Sequence, residues 1–435
     1  MEAQRRGGAT FFWALPIGAG AGLLGGIYRR ALDSIDRLRE LLQQTPLSEP
    51  PGALVSLVAA AALVGMALWL VRRFAPEAAG SGVQEIEGAL DGARPVRWRR
   101  VLPVKFAGGL LALGGGLALG REGPTIQMGG NLGKLAGDLF RIDAESVHVL
   151  IAAGAGAGLA AAFNAPFAGI LFVVEEMRPQ FRYSVISVQT VIIACAVADI
   201  VVRIVAGGAL AIEMAPVPAP PSSALWLFPI LGVLFALVGL AFNGLLVGAL
   251  ERTQRGPAAR QLAIGVVIGG LIGLAGWSDA YWIGDGHAVT ERALHGGLPL
   301  LTLAGLFLMR FGITILSYAS GAPGGIFAPM LALGTLLGMG FGELAQVLLP
   351  QLVEAPGVFA VAGMGALFAA TVRAPLTGMM LAVELTAGYD QILPLMLTCV
   401  PATILAHWLG GRPLYTVLLE RTLERARHAV DPDGA

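Results

Sequence analysis

The chain has 435 residues, 56% hydrophobic and 13% charged, with a mean hydropathy of +0.73. Soluble domains carry about 25% charge, so this polarity deficit points to a membrane protein with most of its mass in lipid. Lys+Arg and Asp+Glu both number 29, which leaves no case for a nucleic-acid partner.

Phe11–Ile27 is apolar and passes into a periodic charged stretch, YRRALDSIDRLRELL, that extends the first span beyond the bilayer until Pro46–Pro51 breaks it. No clear cleavage site follows the first ten residues, so the segment reads as mature protein rather than a removed signal peptide. Leu54–Leu70 is a second span, closed by Arg72 and Arg73. Gly80-Ser81-Gly82 and a short helical run from Gln84 to Leu90 follow, then a basic group (Arg94, Arg97, Arg99, Arg100) and a third apolar run, Val101–Leu119. Basic residues concentrate in this early part, so the N-terminus and the 72–100 loop are expected to be cytoplasmic.

Beyond Gly123 the segments depart from simple spans. Gly123–Phe140 is short for a crossing of about 20 residues. Val149–Val174 is interrupted at Asn164-Ala165-Pro166, and Thr190–Gly207 carries Asp199 and Arg203. A proline-rich link, 211–223, leads to spans at Trp226–Leu250, Leu262–Trp277 and Leu300–Leu316, with a polar loop at Ser278–His287. Gly324–Leu348 opens with GGIFAP, Val358–Val383 is interrupted at Arg373-Ala374-Pro375, and Ile392–Leu409 is the last long apolar run. The charged tail from Arg412 is too short for a further domain. Cys195 and Cys399 lie in apolar runs and read as buried small hydrophobes, and five scattered histidines give no metal-ligand spacing.

An internal repeat is visible. Gly154, Gly156, Ala165, Pro166, Gly169 and Glu175 recur 209 residues on as Gly363, Gly365, Ala374, Pro375, Gly378 and Glu384. Gly120, Pro124, Gly129 and Gly133 recur 205 residues on as Gly325, Pro329, Gly334 and Gly338. Short segments broken by Gly and Pro at matching places in two halves mark a central binding site in a transporter.

Half-helices ending inside a membrane carry positive partial charge at their N-termini and suit an anion. Three glycine-rich starts qualify: Gly80 to Gly82, Gly120 to Pro124, and Gly324 to Pro329. Pro124 fits the first turn of a helix. Glu122 is an anion placed among those same donors, and a charge at membrane depth is functional by default. The alternative for Glu122 is a headgroup-level carboxylate paired with Arg121. Ser81 is either a hydroxyl donor to a halide or an N-cap. Phe327 offers a ring edge or its backbone N–H, or simply packs. Tyr415 is either a phenolic donor or an interface-belt tyrosine. Glu175 and Glu176 end an apolar run, with Glu384 the counterpart of Glu175, which singles out Glu176.

These residues resemble the CLC chloride channels and chloride/proton exchangers, specifically the bacterial exchange branch. The likeness runs from about Leu54 to Leu419 and rests on Gly80-Ser81-Gly82 with EIEGAL (85–90), GREGP (120–124), AAAFNAPFAGILFVVEEMRPQFRY (160–183), ASGAPGGIFAPMLALGT (319–335) and GGRPLY (410–415). The resemblance implies an all-α polytopic CLC-type fold of two inverted-topology repeats, about 50–210 and 222–419, with many tilted and partial helices. It implies one transmembrane transport domain over 1–435 without a cytoplasmic regulatory domain. It further implies a homodimer with one pathway per subunit, in a bacterial inner membrane with both termini cytoplasmic.

Carried over by the resemblance, Ser81 and Tyr415 hold chloride from the cytoplasmic side, and the N–H groups of Ile326 and Phe327 hold it from the second half. Glu122 is the external gating glutamate and proton acceptor, and Glu176 the internal proton-transfer glutamate. The path motifs comprise Gly80, Gly82, Gly120, Arg121, Gly123, Pro124, Gly325 and Pro329. The implied activity is exchange of chloride for protons, with a passive chloride channel as the alternative. No cofactor or metal is implied, only bound chloride. One departure stands out: the family's first motif continues Ile-Pro, and here reads Val83-Gln84.

Overall fold

A computed structural model describes residues 2–43, 50–177, 180, 181, 183–209, 212, 214 and 217–430. Most of the Pro46–Pro51 break, part of the proline-rich link and the DPDGA tail lie outside the described residues. Among the described residues the chain is all-α, and nine helices are long and apolar enough to cross a membrane.

The first helix, α1 (Glu2–Gln43), is a single 42-residue element, so the apolar and charged stretches share one axis. Then come α2 (Pro50–Phe74), α3 (Val83–Leu90) and α4 (Trp98–Gly114). The third apolar run is therefore only partly helical. It stops at Gly114 because Gly116 takes φ +88, and Leu117–Leu119 run on without helical form toward the site. The next helices are α5 (Glu122–Phe140), α6 (Ala144–Phe163), α7 (Pro166–Glu175) and α8 (Val185–Ala206). A Ser184/Ser187 capping box starts α8 five residues before the apolar run does.

In the second half α9 (Leu227–Thr253) and α10 (Ala258–Ser278) are long spans. The polar loop after them folds into a 3₁₀ turn and a short helix, α11 (His287–Leu294), which hydropathy alone does not reveal. The chain continues through α12 (Leu300–Ala319), α13 (Phe327–Leu348), α14 (Gly357–Val372), α15 (Pro375–Thr386) and α16 (Ile392–Trp408). The charged tail is not loose chain: it forms α17 (Leu414–Val430).

Both Ala-Pro breaks behave alike. Asn164 (φ 53) and Arg373 (φ 72) end α6 and α14 in the left-handed region, and Pro166 and Pro375 restart the chain at the first helical position. The glycines pack backbone against backbone. A Cβ on Gly129 would stand 2.0 Å from the Gly154 oxygen, and one on Gly334 would stand 2.2 Å from the Gly363 oxygen. So α5 against α6 and α13 against α14 meet through the residues that recur in the sequence, the close approach that small residues permit in lipid.

Those breaks leave helix ends inside the protein, and side chains satisfy them. Glu384 at the end of α15 accepts the N–H groups of Phe167 and Ala168 at 3.0 and 2.8 Å. Glu175 at the end of α7 accepts those of Leu376 and Thr377 at 3.0 and 2.8 Å, and the Thr377 hydroxyl at 2.9 Å. Each short helix thus caps the start of the other with a carboxylate. Both cysteines are buried and free.

Candidate anion and proton site

Three chain segments are stitched together at the centre. Gly120 and Gly325 form an antiparallel bridge: the Gly120 N–H donates to the Gly325 oxygen at 2.8 Å, and the Gly325 N–H returns to the Gly120 oxygen at 2.7 Å. The Gly324 N–H donates to the Gly80 oxygen at 3.0 Å. The starts of α3, α5 and α13 therefore converge through glycine backbones. A Cβ on Gly123 would lie 2.7 Å from Ser81 Oγ and 2.8 Å from Gly325 Cα, so no larger residue fits there without displacement.

Glu122 is fully buried, and its Oε1 accepts the backbone N–H of Phe327 at 2.7 Å. Its Oε2 is buried without a partner. Arg121 does not neutralise it but donates Nε to the Ala162 oxygen at 3.0 Å, which removes the headgroup-pair alternative. Pro124 is the third residue of α5, where its missing N–H costs no helical bond. A Cβ on Gly325 would meet Glu122 Oε1 at 2.2 Å, and one on Gly120 would meet Oε2 at 2.0 Å, so both glycines leave the room that the carboxylate fills.

Ser81 and Tyr415 are completely buried, with hydroxyl oxygens 3.5 Å apart. That burial corrects the interface-belt alternative for Tyr415, because α17 folds back and carries the ring inward. Phe327 packs its ring against Tyr415, Phe368 and Phe172 at centroid distances of 5.8, 4.6 and 5.7 Å. Its backbone faces Glu122 while its ring is core, so both alternatives for Phe327 hold at once. Ile326 is the buried residue preceding α13, and Pro329 is the third residue of that helix. Gly82 precedes α3 at φ +87, a backbone state that side chains resist.

The segment carrying Ser81 is anchored from below. Lys105 is fully buried and donates Nζ to the Ala78 and Gly80 oxygens at 3.1 and 2.7 Å. Gln127 donates Nε2 to the Glu77 oxygen at 2.7 Å. Burial opposes a charge on Glu77, but Arg100 and Arg97 hold its carboxyl below the usual carboxylate range.

Glu176 follows α7, its backbone N–H on the Phe172 oxygen at 2.9 Å. Its carboxyl lies beside that of the buried Glu87 on α3. Two neighbouring carboxyls are a place where a proton can be held and passed. The adjacent glutamates therefore sit in different surroundings, since the Glu175 carboxyl caps a helix and that of Glu176 neighbours another acid. The sequence reading missed Lys105, Glu87 and Tyr318. Lys105 had a signal, a lysine within the apolar run Val101–Leu119. Glu87 stood inside the EIEGAL motif with nothing to show which of its acids turns inward.

Comparison with known proteins gives a consistent picture. The family profile described as voltage gated chloride channel matches residues 59–407. The H(+)/Cl(-) exchange transporter ClcA of Vibrio parahaemolyticus serotype O3:K6 is 50% identical over 421 residues, covering 96% of this chain and 90% of that protein. The ClcA of Vibrio cholerae serotype O1 is 50% identical over 424 residues, covering 96% and 91%. Among solved structures, a slow cyanobacterial Cl-/H+ antiporter superposes with a TM-score of 0.92 at 41% identity, covering 95% of this chain and 98% of that one.

Proposed function

The chain belongs to the voltage gated chloride channel (CLC) family, and from that premise we propose that its transport turns on a competition between the Glu122 carboxylate and chloride for the same backbone donors. The protein is a secondary active chloride/proton antiporter of a bacterial inner membrane. The single observation that carries the proposed mechanism is the 2.7 Å bond from the Phe327 N–H to Glu122 Oε1. A helix-start donor of this kind stabilises any anion placed on it, whether carboxylate or halide.

Charged Glu122 occupies the donor and blocks the path. Protonation removes the charge that the donor favours, the side chain leaves, and chloride takes its place. Ser81 and Tyr415 hydroxyls, with the N–H groups of Ile326 and Phe327, then surround the ion without a buried lysine touching it. On the other side Glu176 passes protons, with Glu87 as its immediate neighbour. Because one carboxylate and one chloride exclude each other, binding of chloride favours uptake of a proton, and the two fluxes are linked. Simultaneous chloride and proton flux from purified protein in liposomes tests this reading. A reversal potential that moves with the pH gradient at fixed chloride is expected, and one that ignores pH would leave only a gated channel.

One transport domain made of two inverted halves, about 50–210 and 222–419, is supported by the matched glycine contacts and by the reciprocal caps of α7 and α15. Both termini lie in the cytoplasm in this reading, with the arginines of 72–100 at the same face. A homodimer is supported by the outer face of α7, α8, α15 and α16. There Phe167, Ile200, Ile204, Leu376 and Met396 are exposed beside the half-buried capping carboxylates. Short helices with acidic ends cannot face hydrocarbon, so protein covers them. A monomeric mass in detergent and in lipid would contradict the dimer.

A further inference from the structure

We propose that the hydroxyl of Tyr28 is a positioning group that receives the Glu122 side chain once it is protonated and has left the Phe327 N–H. The proposal rests on the reading of Glu122 as a movable gate and names the residue that holds its other position. Tyr28 lies on α1, is fully buried, and its hydroxyl has no hydrogen-bond partner among the described residues. A buried phenol with an idle hydroxyl costs free energy that phenylalanine, with the same ring, would not. The ring is accounted for by its edge-on contact with Phe106, at a centroid distance of 5.3 Å. Packing leaves only the hydroxyl unexplained.

That hydroxyl stands beside the start of α5. A Cβ on Gly109 would be 2.2 Å from the phenol oxygen and 3.6 Å from Pro124 Cγ, so the glycine makes room for the hydroxyl next to the first turn that carries Glu122. On α4, Gly109 lies about one turn beyond Lys105, whose ammonium holds the Gly80 oxygen before Ser81. The phenol is thus displaced from Ser81 toward the end of α4. Its neighbour Arg29 donates to Asn164, at the end of α6, at 3.5 Å. The hydroxyl is within Coulombic range of Glu122 and Arg121, and the other charged groups around them are Arg29, Asp33 and Asp285. Glu122 Oε2 is itself buried and unpartnered. A change between staggered χ1 and χ2 wells swings a glutamate carboxyl through several ångströms toward such a neighbour.

Charge decides which position is held. The carboxylate is favoured at the helix-start dipole, whereas a neutral carboxyl gains little there and, when buried, needs both a donor and an acceptor. A phenol supplies one of each. An arginine would favour the charged form instead, and Arg121 directs its Nε to the Ala162 oxygen.

The test is chloride and proton flux across pH in liposomes holding wild type, Tyr28→Phe, Glu122→Ala or the double variant. Loss of one hydrogen bond to the protonated, displaced carboxyl is expected to lower chloride turnover of Tyr28→Phe at neutral pH roughly three- to tenfold. Because that state becomes harder to reach, the pH of half-maximal turnover moves down by about half to one unit, with the proton/chloride ratio kept. In Glu122→Ala, which has no carboxyl to receive, adding Tyr28→Phe changes chloride flux by less than about twofold. Wild-type turnover and pH midpoint in Tyr28→Phe would overturn the proposal, and so would an equal loss in both backgrounds, which is the mark of packing alone. A Tyr28→Phe protein that unfolds well below wild type would reveal a structural partner for the hydroxyl and overturn it too. Full proton coupling in Glu122→Ala would instead overturn the gate on which the proposal rests.

Discussion

The carboxylate of Glu122 accepts the backbone N–H of Phe327 at 2.7 Å, joining residues 205 positions apart. The bond exists because two glycines at 120 and 325 exchange hydrogen bonds and leave just the space the carboxylate fills. A helix start that would bind an external anion is thus occupied by one built into the chain. On the proposed mechanism the gate exchanges one anion for another at this helix start.

Removing the inner acid should stop protons without stopping chloride. Glu176→Gln is expected to carry chloride with a proton flux reduced at least tenfold. Glu87→Gln, which leaves Glu176 able to titrate alone, should lower proton flux by a smaller factor. Paired chloride- and pH-electrode recordings on liposomes measure both. Full proton flux in Glu176→Gln would remove it from the pathway.

The capping carboxylates should act on stability rather than on coupling. Glu384→Ala or Glu175→Ala leaves two helix-start N–H groups without their acceptor, a loss of about 1–2 kcal/mol each. Thermal unfolding in detergent should fall for each variant, while the proton/chloride ratio of the surviving protein is kept. A Glu175 variant that unfolds like wild type but loses protons would reassign that residue to the relay.

Lys105 holds the carbonyls of Ala78 and Gly80 and so fixes the turn that presents Ser81. Lys105→Met takes the donor from the Ala78 oxygen and leaves the Gly80 oxygen with the Gly324 N–H, at about 1–3 kcal/mol for the oxygen left unpaired. Chloride affinity by calorimetry should drop severalfold even though the side chain lies behind the site. Unchanged affinity would mean that the turn keeps its shape unaided.

Glycines at the helix crossings should tolerate no methyl group. Gly129→Ala puts a Cβ 2.0 Å from a backbone oxygen of α6, and Gly334→Ala puts one 2.2 Å from a backbone oxygen of α14. Backbone has to shift, at roughly 1–3 kcal/mol or more. Both variants should give less folded protein on size-exclusion chromatography, to a similar extent. Gly305→Ala, where a Cβ meets nothing within 4 Å, serves as the control.

Much of this was legible in the chain. The breaks at Pro166 and Pro375 follow from the geometry of the residue before proline, so both helix ends were placed within a residue or two. The repeat paired Gly120 with Gly325, and Gly80 stood out as another glycine-rich helix start, but the bridge between 120 and 325 depends on tertiary contact. Tyr415 was ambiguous because a tyrosine beyond the last span is ordinary at an interface, and only the return of α17 buries it. The helix α11 and the reach of Glu87 to Glu176 were not legible, since both depend on which face of a polar segment the neighbours cover. The repeat pointed to Glu384 as the counterpart of Glu175, yet not to the way each caps the other's helix.

The competition itself is tested most directly by titrating chloride into wild-type and Glu122→Gln protein by calorimetry across pH, in buffers that report proton uptake. Chloride should bind wild type more tightly as pH falls, with a proton taken up for each ion bound. In Glu122→Gln the affinity should be tight and flat with pH, with no proton uptake. A pH-independent affinity in wild type, or a slope that survives in Glu122→Gln, would contradict the account.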